Sequence, residues 1–542
     1  MNVKHIFVMA ANLSGCGKGI VSASLGKLLK SYGYKVTIQK FDPYFNTSAS
    51  SLNPLQHGEV SILADGHESD QDLGMYERFI DEELNKNNSI TSGIIYSNVL
   101  QNEREGKYLG ETIQVIPHIT NEVKRYTHIF DNEYEIVIHE IGGNICDIEA
   151  LPYIESIRQM QYELNKEDCL SVLLVYLPYL KTTKEVKTKI AQQGVEKCRS
   201  LGIIPDILIC RSEVDFSNSI KDKLSLYSNI ATKNIIKNLD ASSIYEVPKM
   251  LMDEGIIEAV DNKLNLDLKN KDSDIDKWNN IVLNNYNNET VNIGLVGKYT
   301  ALEDSYVSVV ESLRFAGWKN KVNVNIVWID SEQLENNFNL PLLKLDGIII
   351  PGGFGKRGIE GMISACQYAR MKKIPYLGIC LGFQIMAIEF ARNVLHLKDA
   401  NSEEFNPKSD NLIIHIMDEQ KNLKEMAGTL RLGNYLCKLD KNSIAYDFYK
   451  TTTVNLRHRH RYEFNNKYIN QFKNNKVLIS GVYHNVYHNN DNILVEMLEL
   501  MDHPFMVGSQ AHNEFNSKAG KPDALFDAFI FYAKNINRKI PN

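Results

Sequence analysis

The stretch Val3–Ile20, VKHIFVMAANLSGCGKGI, decides the fold of the first half of the chain. An apolar run typical of a buried strand leads into a glycine-rich loop, and apolar residues then recur at helical spacing from Val21 onwards. The stretch Lys35–Lys40, KVTIQK, predicts a second strand. Because strands joined through a helix pair in parallel, this order predicts a parallel α/β sheet.

The loop departs at two positions from the phosphate-binding pattern G-x-x-x-x-G-K-[ST]. Asn12 stands where the pattern has a glycine, and Gly19 stands where it has the hydroxyl that helps to hold Mg²⁺. Gly15 and Gly17 still allow backbone N–H groups to converge on phosphate, and Lys18 opens the following helix. From the residues alone, both a modified nucleotide site and a glycine-rich turn with a solvated lysine stay open.

Composition limits the function classes. The length of 542 residues predicts two or three domains, and the net charge of −7 argues against broad binding to nucleic acid. The eight cysteines are scattered without a C-x-x-C pair, so we expect reduced thiols in a cytoplasmic protein. The first residues form a strand pattern instead of a signal peptide, and the apolar runs fall short of the roughly 20 residues that span a membrane. We therefore expect a soluble protein with no membrane partner.

Apolar strand patterns alternate with helical ones on both sides of a polar stretch. Residues 267–290 are rich in Asn and Asp and predict a linker with a short helix around Trp278. A fresh series of strand and helix patterns begins at Val291. We predict an α/β fold with two doubly wound, mostly parallel-sheet domains, 1–266 and 291–542, joined by this linker.

The stretch Tyr376–Gln384, YLGICLGFQ, places Cys380 between a strand pattern and a helix pattern. Gly378 and Gly382 would permit the tight turn that exposes a nucleophile, and the helix start would supply N–H donors. The alternative for Cys380 is a buried core cysteine.

A base for this thiol is available near the C-terminus. In an extended segment His512 and Glu514 share a face, so Glu514 could orient His512 and His512 could deprotonate Cys380. The glycine-rich stretch 351–358, PGGFGKRG, ends an apolar strand and suits backbone oxyanion donors. In the run RHRHR, 457–461, the arginines would repel a metal, so carboxylate binding is the better interpretation.

The cysteine turn, the glycine loop and the distal H-x-E together resemble the class I glutamine amidotransferases, which hydrolyse glutamine to glutamate and ammonia. On that resemblance Cys380, His512 and Glu514 form a catalytic triad. The glutamine-binding positions that the resemblance implies are Gly352, Gly353, Leu381, Gly382, Phe383, Gln384, Glu404 and Arg461. That family usually has H-P-E where this chain has His512-Asn513-Glu514, and both catalytic residues remain.

Carboxylates at strand ends are the candidates for the missing metal ligand. Glu140 follows a buried strand, where open α/β sheets bind ligands, and Asp72 precedes a glycine turn. Neighbouring acids such as Asp65 and Asp70 are more typical of a solvated loop.

The chain as a whole resembles the CTP synthase family, through segments such as QHGEV, DLGMYERF, EIGG, DIEALP and EVKTK in one order. The resemblance implies that ATP phosphorylates O4 of UTP and that ammonia from glutamine displaces the phosphate to give CTP. It also implies GTP as an activator, CTP as a feedback inhibitor, Mg²⁺ as a cofactor, a homotetramer, and a loop containing Leu109 that closes over the ammonia passage.

Residue roles in the first domain follow from the same resemblance. Lys18 and Lys40 would be catalytic, and Asp72 and Glu140 would bind Mg²⁺. The implied ATP-binding residues are Ser14, Gly15, Cys16, Gly17, Lys18, Gly19, Lys40 and Asp72. The implied UTP- and CTP-binding residues are Ser14, Asp147, Ile148, Glu149, Lys187, Thr188, Lys189, Ile190, Ala191, Gln192 and Lys223.

Departures from the family pattern cluster in the first domain. They are 10–19, AANLSGCGKG for GGVVSSLGKG; 142–150, GGNICDIEA for GGTVGDIES; and 188–195, TKIAQQGV for TKPTQHSV. Three hypotheses follow: a divergent but ordinary CTP synthase, a paralogue that aminates a related pyrimidine or another carbonyl substrate, and a mainly structural or regulatory filament-forming protein with residual glutaminase activity. The presence of Lys18, Lys40, Asp72, Glu140 and Cys380 argues against the third.

Overall fold

The computed structural model describes residues 2–13, 15–47, 58–282, 289–337, 344–416, 430–484 and 493–536. The chain forms two compact units, Met1–Ser51 with Met75–Leu283, and Leu52–Gly74 with Asn284–Asn542. The predicted α/β class with two sheet domains is confirmed. The predicted domain limits, 1–266 and 291–542, stay a prediction.

The first unit contains a sheet of seven strands, all paired in parallel. In spatial order the strands are Ile235–Leu239, Ile207–Ser212, Cys169–Tyr176, Lys4–Ala10, Ile136–Ile141, Val36–Asp42 and Ser89–Thr91. The α-helices are Lys18–Ser31, Gln71–Ile80 (most of which belongs to this unit), Ser92–Arg104, Thr120–Thr127, Leu151–Glu163, Lys189–Ser200, Asn218–Ser228, Val247–Asp253, Ile256–Leu264 and Ile275–Val282. A small hairpin pairs Tyr179–Leu180 with Glu185–Val186.

The central strands are buried almost throughout, which agrees with their continuous apolar sequences. Their register places Lys40 directly beside Glu140 on the neighbouring strand. Side chains of in-register neighbours lie on the same face of a sheet. The strand ends therefore bring a lysine and a carboxylate from distant parts of the sequence together.

The second unit contains a mixed sheet of nine strands. In spatial order they are Asn323–Asp330, Thr290–Gly297, Gly347–Ile350, Tyr376–Ile379, Met506–Ser509, Ile493–Leu500, Val477–His484, Arg431–Leu439 and Thr453–His460. The first five pair in parallel, and the remaining four continue the sheet in antiparallel fashion. A separate small sheet contains Asn401–Ser402, Leu412–Ile416 and Tyr462–Phe464. The α-helices are Val307–Asn320, Ser331–Asn336, Ile359–Lys372, Leu381–Asn393, Ile444–Tyr449, Ile469–Asn474 and Ala524–Asn535.

A short hairpin from the N-terminal half of the sequence, Ser61–Ile62 with Glu68–Ser69, belongs to the second unit. The guanidinium of Arg457 donates to the carbonyl of Ile62 at 3.0 Å. The guanidinium of Arg459 pairs with Glu68 at 2.8 Å. Because Arg457 is 2% exposed, this hairpin packs as part of the unit's interior.

All eight cysteines are free thiols, as the sequence predicts. Within the part of the chain that the structure describes, no helix combines the length and apolar character needed to span a membrane.

Candidate active sites

Cys380 lies on a strained turn between the strand Tyr376–Ile379 and the helix Leu381–Asn393. Its φ of 52° and ψ of −97° define a backbone conformation that residues other than glycine rarely adopt. A Cβ on Gly382 would lie 2.1 Å from the carbonyl oxygen of Ile350, so the helix start approaches the neighbouring strand closely only because this residue is glycine.

A cavity of about 90 Å³ opens beside the thiol of Cys380. Its lining residues are Glu59, Val60, Tyr299, Ser305, Tyr306, Val309, Pro351, Gly352, Gly353, Phe354, Cys380, Arg459, His512, Glu514 and Phe515. Five of the residues expected at the glutamine site, Cys380, His512, Glu514, Gly352 and Gly353, thus lie together. A Cβ on Gly352 would come within 2.7 Å of the His512 ring, so a glycine is required there too.

His512 is held by a carboxylate. Its Nδ1 lies 2.7 Å from Oε1 of Glu514. Although burial opposes protonation, the charges of Glu514 and Cys380 raise the pKa of His512 to about 10. The other ring nitrogen is therefore protonated at neutral pH, which suits proton exchange with the neighbouring sulfur.

The remaining predicted glutamine-binding residues surround this cavity without lining it. Leu381–Gln384 form the buried first turn of the helix, and Gln384 donates to Gln510 and to the carbonyl of Tyr462, each at 3.4 Å. The carboxylate of Glu404 accepts the N–H of Gly355 at 2.6 Å, and burial raises its pKa. The charge of Arg461 acts on Glu404.

Sequence patterns do not mark Lys298, which contacts the glycine-rich loop beside the cavity, or Glu59, which lines the cavity. Lys298 donates to the carbonyls of Phe354 and Gly355, and burial lowers its pKa to about 8. Arg459 lines the cavity, and its guanidinium lies over the ring of Phe354. Glu59 accepts hydrogen bonds from the backbone and hydroxyl of Ser308. No local pattern marks Lys298 or Glu59, because their partners are far away in the sequence, whereas Arg459 belongs to the run 457–461 for which carboxylate binding is expected.

The RHRHR run, 457–461, lies at the end of the strand Thr453–His460, so its histidines and its arginines lie on opposite faces of that strand. His458 and His460 are buried and lie 2.8 Å apart through their ring nitrogens. Their surroundings include Arg431, which pairs with Glu496 at 2.6 Å. The arginines of the run contact other groups: Arg457 donates to the carbonyl of Ile62, and Arg459 pairs with Glu68.

Asn513, which replaces the usual proline of the family pattern, has a structural partner. Its side chain donates to the hydroxyl of Tyr449 at 2.9 Å, and that hydroxyl donates to Asp523 at 2.7 Å. The substitution therefore leaves the neighbouring His512–Glu514 contact in place.

In the first unit, predicted ATP-site residues converge at the carboxyl ends of the central strands. Lys18, at the start of the helix Lys18–Ser31, donates to the carbonyl of Gly143 at 2.6 Å. Lys40 lies 3.4 Å from Asp42. Glu140 is 3% exposed and accepts a hydrogen bond from the hydroxyl of Tyr76.

The glycine-rich loop has left-handed backbone angles at two of its glycines. Gly15 and Gly17 have φ values of 74° and 93°, and Gly17 immediately precedes the helix that contains Gly19. Cys16 is buried, and burial raises the pKa of its thiol. Ser14 lies outside the described residues.

The remaining carboxylate expected at the metal, Asp72, lies elsewhere in the chain. It belongs to the first turn of the helix Gln71–Ile80, in the segment Leu52–Gly74 that groups with the second unit. Its backbone N–H donates to the carboxylate of Asp70 at 3.0 Å.

A second cavity, of about 750 Å³, accounts for part of the predicted pyrimidine site. The predicted residues among its lining are Lys187, Thr188, Lys189, Gln192 and Lys223. Phe216, Tyr227 and Lys184 also line it and were missed by the sequence analysis. The volume is that of an ordinary ligand pocket.

Other predicted pyrimidine-binding residues do not line this cavity. Ile190 is partly exposed and Ala191 is buried in the helix Lys189–Ser200. Asp147 accepts the backbone N–H and the side-chain amide of Asn144 at 2.8 and 2.9 Å, which orders its own loop. Ile148 and Glu149 follow it and are exposed.

Two departures from the family pattern contact each other. Asn12, with a φ of 80°, donates to the carbonyl of Ile190. A Cβ on Gly194 would lie 2.6 Å from the Asn12 amide and 2.7 Å from the side chain of Ala11. The absence of a side chain at Gly194 therefore provides the room that Asn12 occupies.

We expect Gly194→Ala to destabilise the protein by about 1–3 kcal/mol, because the new methyl overpacks this contact. Helix propensity alone would predict that Gly194→Ala stabilises the protein, since alanine is favoured over glycine inside a helix by about 1 kcal/mol. The double variant Asn12→Gly/Gly194→Ala should recover part of the loss, because the contact with the side chain of Ala11 remains. Calorimetric unfolding of the four proteins measures this coupling, and additive effects would contradict it.

Comparisons with known proteins agree with this geometry. Residues 4–266 match the family description "CTP synthase N-terminus", and residues 301–531 match "Glutamine amidotransferase class-I". A CTP synthase of Clostridium acetobutylicum is 47% identical, covering 99% of this chain and 100% of that protein. One of Ruminiclostridium cellulolyticum is 48% identical over the same shares, and one of Bacillus subtilis is 47% identical over 97% and 98%. The chain therefore belongs to the CTP synthase family, the glutamine-dependent ligases that form a carbon–nitrogen bond to make CTP.

Proposed function

We propose that this member of the CTP synthase family uses separate sites for glutamine hydrolysis and for the ATP-dependent amination of UTP. The observation that carries the proposal is the single cavity in which Cys380, His512 and Glu514 meet Gly352 and Gly353. The convergence of Lys18, Lys40 and Glu140 at one edge of the other sheet supports the second site.

In the glutaminase reaction, the sulfur of Cys380 attacks the side-chain amide carbon of glutamine. Backbone N–H groups of the loop at Gly352 and Gly353 stabilise the oxyanion that forms. His512 donates a proton to the departing nitrogen, which leaves as ammonia, and then accepts one from the water that hydrolyses the thioester to glutamate. Glu514 holds the ring in position through its 2.7 Å contact.

In the synthase reaction, the γ-phosphoryl group of ATP passes to O4 of UTP, and ammonia then displaces it as phosphate. Lys18 and Lys40 supply positive charge to the transferring group. Mg²⁺ would be bound by Glu140 and by Asp72, the second carboxylate that the family resemblance implies. Carboxylate oxygens are the ligands that Mg²⁺ prefers, and the metal would neutralise phosphate charge.

The pyrimidine nucleotide would bind at the 750 Å³ cavity. Lys187, Lys189 and Lys223 among its lining offer compact positive charges to a triphosphate. Phe216 and Tyr227 offer aromatic surface in the same cavity. CTP would act as the feedback inhibitor by competing with UTP in this region.

Ammonia would leave the glutaminase cavity past residues from the N-terminal half of the sequence. Glu59 and Val60 line that cavity together with Cys380. Leu109 is 95% exposed with a left-handed φ of 51°, which suits the covering role implied for its loop. GTP activation and a homotetramer are further proposals that rest on the family resemblance, and a cytoplasmic location is one that rests on the free thiols.

The paralogue hypothesis gains no specific support. The relatives reported above are CTP synthases over nearly their whole length. The contact between Asn12 and the space at Gly194 is an internal compensation that requires no change of substrate.

We expect Cys380→Ala to abolish CTP synthesis from glutamine and to leave synthesis from added ammonia intact, because the thiol acts only in releasing ammonia. Glu140→Gln should abolish both, since the metal carboxylate acts in phosphoryl transfer. The measurement is CTP formation from UTP, ATP and Mg²⁺ with either nitrogen source. Glu133→Gln, an exposed carboxylate change in the same unit, is the control.

Two results would overturn these assignments separately. Loss of ammonia-dependent synthesis in Cys380→Ala would show that the thiol has another role. Full activity of Glu140→Gln would remove the metal assignment. Wild-type protein that forms no CTP from ammonia would contradict the proposed reaction itself.

We expect Glu514→Gln to slow glutamine hydrolysis by about 10²–10⁴-fold, because the carboxylate that orients His512 and raises its pKa is lost. The folded pKa of about 10 exceeds the ordinary value of 6.5, so protonation of His512 stabilises the fold. This contribution is complete below pH 6.5 and is lost as the pH rises towards 10.

The melting temperature of the wild type relative to Glu514→Gln should accordingly be highest below pH 6.5 and should converge towards pH 10. Calorimetry across this range measures the difference. Ammonia-dependent synthesis is the control and should be unaffected. A constant difference at every pH would exclude the electrostatic role of Glu514.

A further inference from the structure

Three side chains of the types that bind metals cluster at the amino-terminal end of the central strand Lys4–Ala10, whereas the proposed ATP site lies at the carboxyl ends of the strands. His5 begins the strand Lys4–Ala10, while His128 and Asp131 follow the helix Thr120–Thr127. One ligand atom of each of these three residues lies within 4.8 Å of the other two. A cavity of about 320 Å³ adjoins them.

Hydrogen bonds fix the orientation of a side-chain amide behind His5. The amide nitrogen of Gln39 donates to the carbonyls of Asn87 and Tyr126 at 2.8 and 3.1 Å. The amide oxygen of Gln39 therefore faces Nδ1 of His139, 3.0 Å away, and accepts a hydrogen bond from it. His139 thus carries its proton on Nδ1.

The same logic fixes the tautomer of His5. Nε2 of His139 lies 3.0 Å from Nδ1 of His5 and, lacking a proton, accepts from it. His5 therefore carries its proton on Nδ1, and its Nε2 presents a lone pair. His5 is 1% exposed, so this nitrogen lies in the protein interior.

The lone pair of His5 faces a second electron-pair donor. Nε2 of His5 lies 3.6 Å from Oδ1 of Asp131. That oxygen is buried and, within the described part of the chain, accepts no hydrogen bond. Two acceptors that face each other at this distance repel, unless a cation lies between them.

The spacing suits a transition metal. With ligand atoms about 2.0–2.1 Å from zinc in tetrahedral geometry, two ligand atoms are separated by about 3.4 Å. His128 is the adjustable ligand, since its side chain is 38% exposed and contacts the other Asp131 oxygen at 2.7 Å. The bond from His5 to His139 also supplies the outer hydrogen bond typical of metal-binding histidines.

We propose that His5, His128 and Asp131 bind a divalent transition-metal cation of the zinc class, with water from the adjoining cavity as the fourth ligand. Two imidazoles and one carboxylate favour such a cation over Mg²⁺, which prefers oxygen ligands. The site lies at the amino ends of the strands, so its role is structural and separate from phosphoryl transfer.

The test is titration of the full-length, chelator-treated protein with Co²⁺ and with Zn²⁺ in the presence of excess Mg²⁺. Wild-type protein should bind one equivalent that Asp131→Asn and His128→Asn lack, and bound Co²⁺ should give the visible absorption of a tetrahedral site. Both variants change partly exposed side chains, so folding should be preserved. His396→Asn, an exposed histidine of the second unit, is the matched control and should bind like the wild type.

A stability measurement separates metal binding from packing. Zn²⁺ should raise the melting temperature of the wild type and of His396→Asn but not that of Asp131→Asn. Without metal, Asp131→Asn should be at least as stable as the wild type, because the asparagine amide can donate to the lone pair of His5. Equal binding stoichiometry, or equal stabilisation by Zn²⁺, in the wild type and Asp131→Asn would overturn the proposal.

Discussion

Parallel pairing of strands is the constraint on which both candidate active sites depend. In a parallel sheet all strands end at one edge, so residues that follow different strands meet there although they are far apart in sequence. In the second unit, Gly352, Cys380 and His512 follow the strands Gly347–Ile350, Tyr376–Ile379 and Met506–Ser509, which are neighbours. In the first unit, the same rule brings Lys40 beside Glu140.

The glutaminase turn shows how the fold maintains a strained nucleophile. A non-glycine residue with the backbone angles of Cys380 costs about 1–3 kcal/mol. The backbone N–H of Cys380 donates to the carbonyl of Ser509 at 2.7 Å, and the helix that follows is buried over its first eleven residues. These contacts hold the turn in place, and the close approach of Gly382 to Ile350 excludes any side chain there.

Features that a short sequence pattern indicates could be predicted, and features that depend on residues distant in the sequence could not. The α/β class was predicted from apolar strand runs, and Cys380, His512 and Glu514 were identified as candidates from glycine spacing and a period of two. Lys298 has no such signal, since its partners are the distant carbonyls of 354–355.

The glycine at position 194 is likewise no more than a departure from the family pattern in the sequence, because the side chain that requires it, Asn12, lies about two thirds of the first domain away along the chain. The antiparallel half of the second sheet was also not predicted. Its strands, such as Arg431–Leu439, mix buried and exposed residues and include buried charges, which conceals the pattern.

The two ends of the central strands of the first unit favour ligands of opposite charge. At the carboxyl ends, lysines and backbone N–H groups converge and favour an anion such as phosphate. Gln39 and His139, in the middle of their strands, and His5, near the amino end of its strand, form a row across three adjacent strands in which every proton is directed towards Gln39. Such a row satisfies each of its members except the last lone pair, which faces the carboxylate of Asp131. Since burial disfavours a proton at that position, a bound cation is the partner that completes the row.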